Sequence, residues 1–178
     1  MKYLVLIVFY SSLLFSADDQ FIKEASTLAT DLRQALMHNL SQKMTMEGSE
    51  AAVPFCQSQI KLIAKQAAKE RSQKYEFGRT SHKVRNRINS PQPWAMQYLK
   101  EFEGKKKSEV TKDHLVHRLA DGKRVYLEPL YVEAKCLTCH GQNIAQNVSR
   151  KINDLYPDDK ATGFSLGEFR GFIWVKEK

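Results

Sequence analysis

Apolar residues recur at steps of three and four over two long stretches, which is the spacing of amphipathic helices. The first stretch covers about residues 19–46, contains no Gly or Pro, and ends at Gly48 and Ser49. The second begins between Ser49 and Pro54, where Ser can cap a helix and Pro suits its first turn, and runs to about Tyr75. The pattern therefore predicts two long helices in the first half of the chain.

Shorter elements separated by polar loops make up the rest of the chain. In order they are an irregular loop over 77–93, a short helix over 93–102, a charged linker over 104–112, a β-hairpin over 114–132, a short helix over 144–155 and a closing strand over 169–175. The Asp121-Gly122 pair, between two β-prone segments, predicts the hairpin turn. Together these elements predict an α+β domain with a small antiparallel sheet.

The first residues have the composition of a secretory signal peptide. Lys2 is followed by a mostly apolar stretch over 3–15, which is shorter than the roughly 20 residues of a membrane-spanning helix. Two small residues, Ser and Ala, then suit a cleavage site. We therefore predict a signal peptide over 1–17 and a single exported domain over 18–178. The alternatives are an uncleaved anchor and a buried strand.

The chain is basic, with 28 Lys and Arg against 20 Asp and Glu and a formal charge of +8. No Arg-rich helix with base-reading residues is visible, which disfavours nucleic acid as a partner. The densest basic block, over 105–107, is either a solvated loop or a docking patch that steers an acidic redox partner.

The sequence CLTCH over 136–140 is a C-x-x-C-H motif, the attachment signature of c-type haem. Its two thiols, Cys136 and Cys139, can each add to one vinyl group of a haem, and His140 then lies beneath the iron as a ligand. Haem is attached to such motifs outside the cytoplasmic membrane, so the motif and the predicted export support each other. The alternative is a structural zinc site formed by these three residues, with or without Cys56.

Cys56 is the third and last cysteine of the chain, and an odd cysteine in an exported protein needs an explanation. It shares a helical face with Ile60, Ile63 and Ala67, so we expect it to point inward near the start of the second helix. It is either a buried core thiol or a metal or haem ligand, and the N-terminus of a helix suits a thiolate.

The predicted loop over 77–93 carries Arg79, Arg85 and Asn86. One interpretation is a polar surface loop. The other is a loop whose Arg and Asn side chains meet the propionates of a haem, because a guanidinium offers a fork of donors to a carboxylate. The sequence leaves both interpretations open.

Four blocks of the chain together resemble a haem-binding family long described as a domain of unknown function. The blocks are Cys56 on its helix, GRTSHKVRNRINSP over 78–91, CLTCHG over 136–141 and YPDDKATGFSLGEFRGFIWV over 156–175. The resemblance implies a PAS-like fold, in which helices flank a central antiparallel sheet, and one covalently bound c-type haem. It also implies two axial iron ligands, a motif histidine and a distant cysteine, at the positions of His140 and Cys56.

On this resemblance we expect a periplasmic monohaem protein with a low redox potential, used in electron transfer or redox sensing. A thiolate ligand stabilises ferric iron, which lowers the potential. The alternative is a sensor that binds CO or NO after Cys56 has left the iron. No Ser-His-Asp set or carboxylate pair stands out, so we do not expect an enzyme, apart from weak peroxidase activity after loss of Cys56.

Overall fold

The computed structural model describes residues 16–178. The predicted signal peptide lies almost wholly outside this range. The first helix, α1, spans Ala17–Ser58 and begins at Ser16, whose hydroxyl accepts a hydrogen bond of 3.1 Å from the amide of Asp18. None of the helices in the described range is long and apolar enough to cross a membrane.

Helix α1 is two helical segments joined at Gly48, which has a positive φ of 83° and a non-helical ψ of 170°. Beyond this point the chain folds back, since the ammonium group of Lys43 lies 6.0 Å from the ring centroid of Phe55. In a straight helix, the twelve-residue step from Lys43 to Phe55 would separate their backbones by about 18 Å along the axis. The sequence prediction of a helix that ends at Gly48, followed by a second one, is confirmed.

The second helical region is not continuous to Tyr75, so that part of the prediction is wrong. It is divided into the end of α1, α2 over Ile60–Ala68 and α3 over Arg71–Lys74. Lys69 ends α2 because its φ of 42° lies in the left-handed region.

Four strands form one antiparallel sheet in the order β1-β4-β3-β2. They are β1 over Tyr75–Thr80, β2 over Leu115–Arg118, β3 over Arg124–Tyr131 and β4 over Phe169–Glu177. The predicted hairpin and closing strand are therefore confirmed. Helices α4 over Met96–Phe102, α5 over Leu137–His140 and α6 over Gln146–Leu155 complete the fold, and the α+β class is confirmed.

The prediction of an irregular loop from residue 77 is wrong at its start, because Phe77–Thr80 belongs to β1. Gly78 weakens the strand signal in the sequence, yet it is opposite Trp174 of β4, and its lack of a side chain leaves room for the indole. A Cβ at this position would lie 2.6 Å from an indole carbon. Strand pairing, which is a tertiary effect, overrides the local signal here.

The two faces of the sheet are covered by different elements. One face carries Ile173 and Val175 and packs against α1 through Phe21, Ala25 and Leu28. The other face packs against α4. This second apolar cluster includes Leu99 and Phe102 of α4 and Val125, Leu127 and Phe172 of the sheet. A third, smaller cluster joins the end of α1 to α6 and includes Val53, Val148, Ile152 and Tyr156. This third cluster borders the candidate site.

Candidate functional site at the cysteine and histidine cluster

The C-x-x-C-H motif folds as a tight helical turn. Cys136 ends a 3-10 turn over Ala134–Cys136, and Cys139 and His140 lie on α5. The helix ends at Gly141, where an added Cβ would lie 2.6 Å from the carbonyl oxygen of Leu137. Glycine therefore lets the chain leave the motif directly after His140.

The imidazole of His140 is held by the loop that follows α6. Its Nδ1 lies 2.6 Å from the carbonyl oxygen of Ala161, and the amide of Phe164 donates to the carbonyl of His140 at 3.0 Å. Because a carbonyl only accepts, Nδ1 carries the proton, and the lone pair lies on Nε2. Burial and the nearby Arg170 and Arg85 hold the pKa of His140 well below its usual value. The neutral ring is therefore in the tautomer that a metal ligand needs.

Cys56 lies near the end of α1, two residues before the helix stops at Ser58. The expectation that it lies near a helix N-terminus is therefore wrong: the fold-back at Gly48 comes eight positions earlier. Burial, and then the neighbouring thiol of Cys139, raise the pKa of Cys56 to about 11. Arg79 and Arg85 act in the opposite direction, and without a further cation this thiol stays protonated at neutral pH.

Cys56 lies within electrostatic range of Cys139, which is part of the motif. Cys139 packs against the third apolar cluster, and the charge of Cys56 acts on the nearby Tyr156, whose pKa is raised mainly by burial. The amide of the Gln57 side chain donates to the carbonyl of Leu155 at 3.3 Å, which connects α1 to α6. The fold thus brings Cys56 to the motif across 80 residues of chain.

Arg85 joins the motif to the loop that holds His140. One guanidinium nitrogen donates to the carbonyl of Cys139 at 2.7 Å, to the carboxylate of Asp159 at 2.9 Å and to the carbonyl of Ala161 at 3.4 Å. Both charged side chains are largely buried, at 12% and 6% exposed. The predicted loop arginine is therefore bonded to the protein around the motif.

Two further arginines lie at the site with no carboxylate partner within residues 16–178. Arg170 donates to the hydroxyl of Ser81 at 2.9 Å and to the carbonyl of Lys83 at 3.2 Å, and it lies over the ring of Phe164. Burial, and then repulsion from Arg79 and Arg85, lower the pKa of Arg170 to about 9. Burial also lowers the pKa of Arg79, while Cys56 and Cys136 act to raise it.

Asn86 is engaged locally. Its side-chain oxygen accepts a hydrogen bond of 3.1 Å from the amide of Ile88 and caps a 3-10 turn over Arg87–Asn89. Its contact with a propionate stays a prediction.

The described residues contain no group of three or more His, Cys, Asp and Glu arranged to hold a metal ion. The zinc alternative, which needs Cys136, Cys139 and His140 at one ion, has no support from this geometry. A haem differs because the protein supplies only the axial ligands of its iron.

Three residues of this site were not predicted from the sequence: Asp159, Ala161 and Arg170. Arg170 had a signal, since it is a lone charge in the apolar strand FRGFIWV. Ala161 contributes only its backbone carbonyl, so its residue type carries no signal. Asp159 resembles any acidic residue of a turn until its partner Arg85 is known.

Comparison with known proteins places these features in a family. No curated protein matches the chain. The crystal structure of the cyanobacterial haem protein Tll0287 is similar, with a TM-score of 0.64 and 22% sequence identity over 88% of this chain and 93% of that one. At this identity the likeness shows a shared fold. A family model described as Tll0287-like matches residues 15–177. The chain therefore belongs to the Tll0287-like family.

Proposed function

We propose that the chain binds one c-type haem, attached covalently through Cys136 and Cys139, with His140 and Cys56 as the axial ligands of the iron. The family match and the printed description of the similar cyanobacterial structure as a haem protein support haem binding. The attachment and the ligand pair rest on the motif and on the surroundings of its residues.

The single observation that carries the proposal is the state of His140. Its Nδ1 is bonded to the carbonyl of Ala161 at 2.6 Å, while Nε2 makes no hydrogen bond within the described residues. A metal-ligating histidine has this arrangement, because the bond at one nitrogen orients the ring and fixes the lone pair on the other. Two free thiols one and four positions earlier complete the attachment motif of a c-type haem.

Cys56 is suited to be a ligand of such an iron. Its thiol is desolvated, and binding to a metal cation is what converts such a buried thiol into a thiolate. Arg79 and Arg85 favour that thiolate further. A thiolate ligand favours the ferric state, so we expect a low redox potential.

Haem supplies a reversible one-electron couple between ferric and ferrous iron. The chain orients His140, supplies the thiolate and surrounds the site with apolar and cationic groups. We propose electron transfer or redox sensing in the periplasm as its role, without enzymatic turnover of a substrate. The block over 105–107, which is mostly exposed, would steer an acidic redox partner towards the protein.

Sensing of CO or NO is a second candidate function, and the surroundings of Cys56 favour it. Because burial raises the pKa of this thiol to about 11, the protonated form is stable in the site. A reduced haem iron would hold a thiolate less strongly, and Cys56, as a stable neutral thiol, would leave room for CO or NO to bind.

Spectra and potentials of wild type and Cys56→Ala test the ligand pair. We expect covalent haem in both proteins, with a changed low-spin spectrum and a higher midpoint potential in the variant. An unchanged spectrum and potential would reject Cys56 as a ligand. Addition of CO to the reduced wild type separates the two roles, because a CO adduct supports the sensor and its absence supports a closed electron carrier.

A further inference from the structure

The unpaired polar groups inside the protein are concentrated in one region. Four buried side-chain atoms lack a hydrogen-bond partner in the described part of the chain: Thr80 Oγ1, His82 Nδ1, Arg85 Nε and Arg170 Nε. Three of them belong to the segment 80–85, and Arg170 is bonded to that segment through Ser81. A buried polar group without a hydrogen-bond partner is destabilising, so such a concentration calls for a partner.

The chemistry of these atoms indicates an acceptor. Both arginine Nε–H groups can only donate, and the hydroxyl of Thr80 can donate as well. The charges of the nearby arginines also indicate that the partner is an anion. Arg85 is neutralised by Asp159 at 2.9 Å, whereas Arg79 and Arg170 form no ion pair with any residue from 16 to 178. Two buried cations are thus left without counter-charges, which is costly in a protein interior.

These two cations lie within electrostatic range of each other and of the motif. Arg79 is the strongest electrostatic neighbour of Arg170, and the charges of both act on Cys136 and on His140. Arg79 keeps some accessible surface although burial lowers its pKa, as expected of a side chain that lines an enclosed space. An anion with two negative charges beside the motif would satisfy the pair.

We propose that Arg79 and Arg170 together bind the two propionate carboxylates of the haem, and that Arg85 instead clamps the motif to the loop that carries Ala161. This inference rests on the proposed function and deepens it. It adds Arg170, which the sequence analysis did not single out, and gives Arg85 a positioning role. The number of uncompensated cations equals the number of carboxylates on the cofactor.

Arg79→Gln and Arg170→Gln test the assignment in protein matured in the periplasm. Arg87→Gln is the matched control, because Arg87 is only eight positions after Arg79 but is 83% exposed and pairs with Asp158. Removing a cation near the iron favours the ferric state, so we expect a lower midpoint potential in both test variants and no change in the control. Arg170→Lys keeps the charge and should stay closer to wild type.

The ionisation state of the propionates provides a second measurement. It would not change in the variants if Arg79 and Arg170 only stabilised the fold. Paired with guanidinium groups, the propionates should stay ionised at pH 4 in the wild type, below the ordinary carboxyl pKa of roughly 4.3. In Arg79→Gln and Arg170→Gln they should protonate above pH 4, which infrared redox-difference spectra detect and which makes the midpoint potential depend on pH.

The outcomes separate this inference from the proposed function. A wild type without covalent haem rejects the proposed function itself. If the wild type contains covalent haem but a propionate is protonated at pH 4, the assignment of Arg79 and Arg170 is overturned. This outcome can be observed even when no variant matures. Variants with wild-type potentials and wild-type infrared bands overturn it as well.

Discussion

At the scale of single residues, the surroundings of a side chain decide its role more than its type does. Arg85 and Arg87 are two positions apart, yet the first is 12% exposed and bonded to the motif, and the second is 83% exposed. The pair at Arg85 and Asp159 is buried, so its hydrogen bonds contribute more than those of the exposed pair at Arg87 and Asp158.

Arg85→Lys should destabilise the protein, because the shorter lysine side chain ends before the position of the guanidinium nitrogen that donates to both Cys139 and Asp159. We expect the free energy of unfolding to fall by about 1–3 kcal/mol, measured by urea denaturation. Arg87→Lys is the matched control and should change it by less than about 0.5 kcal/mol. Equal effects of the two substitutions would contradict the clamp.

Gly171→Ala should be among the most damaging single substitutions. Gly171 has a φ of 132°, and an added Cβ would lie 2.2 Å from the carbonyl oxygen of Thr80. We expect a loss of more than about 3 kcal/mol of unfolding free energy. Gly104→Ala is the control, since Gly104 also has a positive φ, of 75°, but has open space around it. It should cost only about 1 kcal/mol. A smaller loss for Gly171→Ala than for Gly104→Ala would show that the close approach of β4 to Thr80 is wrong.

At the scale of elements, a charged network connects the start of α1 to the sheet. Arg124 of β3 donates to the carboxylates of Asp18 on α1 and Glu177 on β4, and Arg118 of β2 also bonds Asp18. The guanidinium of Arg124 lies 4.6 Å from the ring centroid of Phe21, which belongs to the main core. Hydrogen bonds from Arg124 hold the pKa of Asp18 and of Glu177 below their usual values.

This network should make the protein sensitive to acid. A carboxyl group whose pKa is lower in the folded state stabilises the fold above its unfolded pKa, and this contribution is lost as the pH falls through the folded pKa. The free energy of unfolding should therefore decrease as the pH drops below the ordinary values of 4.5 for Glu and 3.8 for Asp.

Urea denaturation at several pH values between 3 and 7 measures this dependence. Arg124→Gln should flatten it below about pH 4.5, whereas Lys100→Gln, a substitution of an exposed lysine on α4, should not. The same acid dependence in Arg124→Gln as in the wild type would show that other carboxyl groups are responsible.

At the scale of the whole molecule, features that depend on local pattern could be predicted from the sequence. The helix that ends at Gly48, the hairpin turn at Asp121-Gly122 and the closing strand all follow from periodicity and turn residues, and the structure confirms them. The motif over 136–140 was visible because its chemistry requires a fixed spacing.

Features that depend on distant contacts could not be predicted in the same way. Strand β1 exists because Gly78 pairs with Trp174 and leaves room for its indole. The hydrogen bond from His140 is accepted by a backbone carbonyl, and because every residue has one, the sequence gives no sign of this contact. Cys56 could be predicted as a candidate ligand because it is an odd cysteine and because of the family resemblance. Its position near the end of α1 could not be predicted, because it depends on where the chain folds back.

The measurement that tests the central claim most directly is a haem stain of the protein on a denaturing gel after maturation in the periplasm. We expect the wild type to keep its haem, Cys56→Ala to keep it as well, and the double variant Cys136→Ser/Cys139→Ser to lose it. A wild-type band without haem would contradict covalent attachment, and so would haem that persists in the double variant.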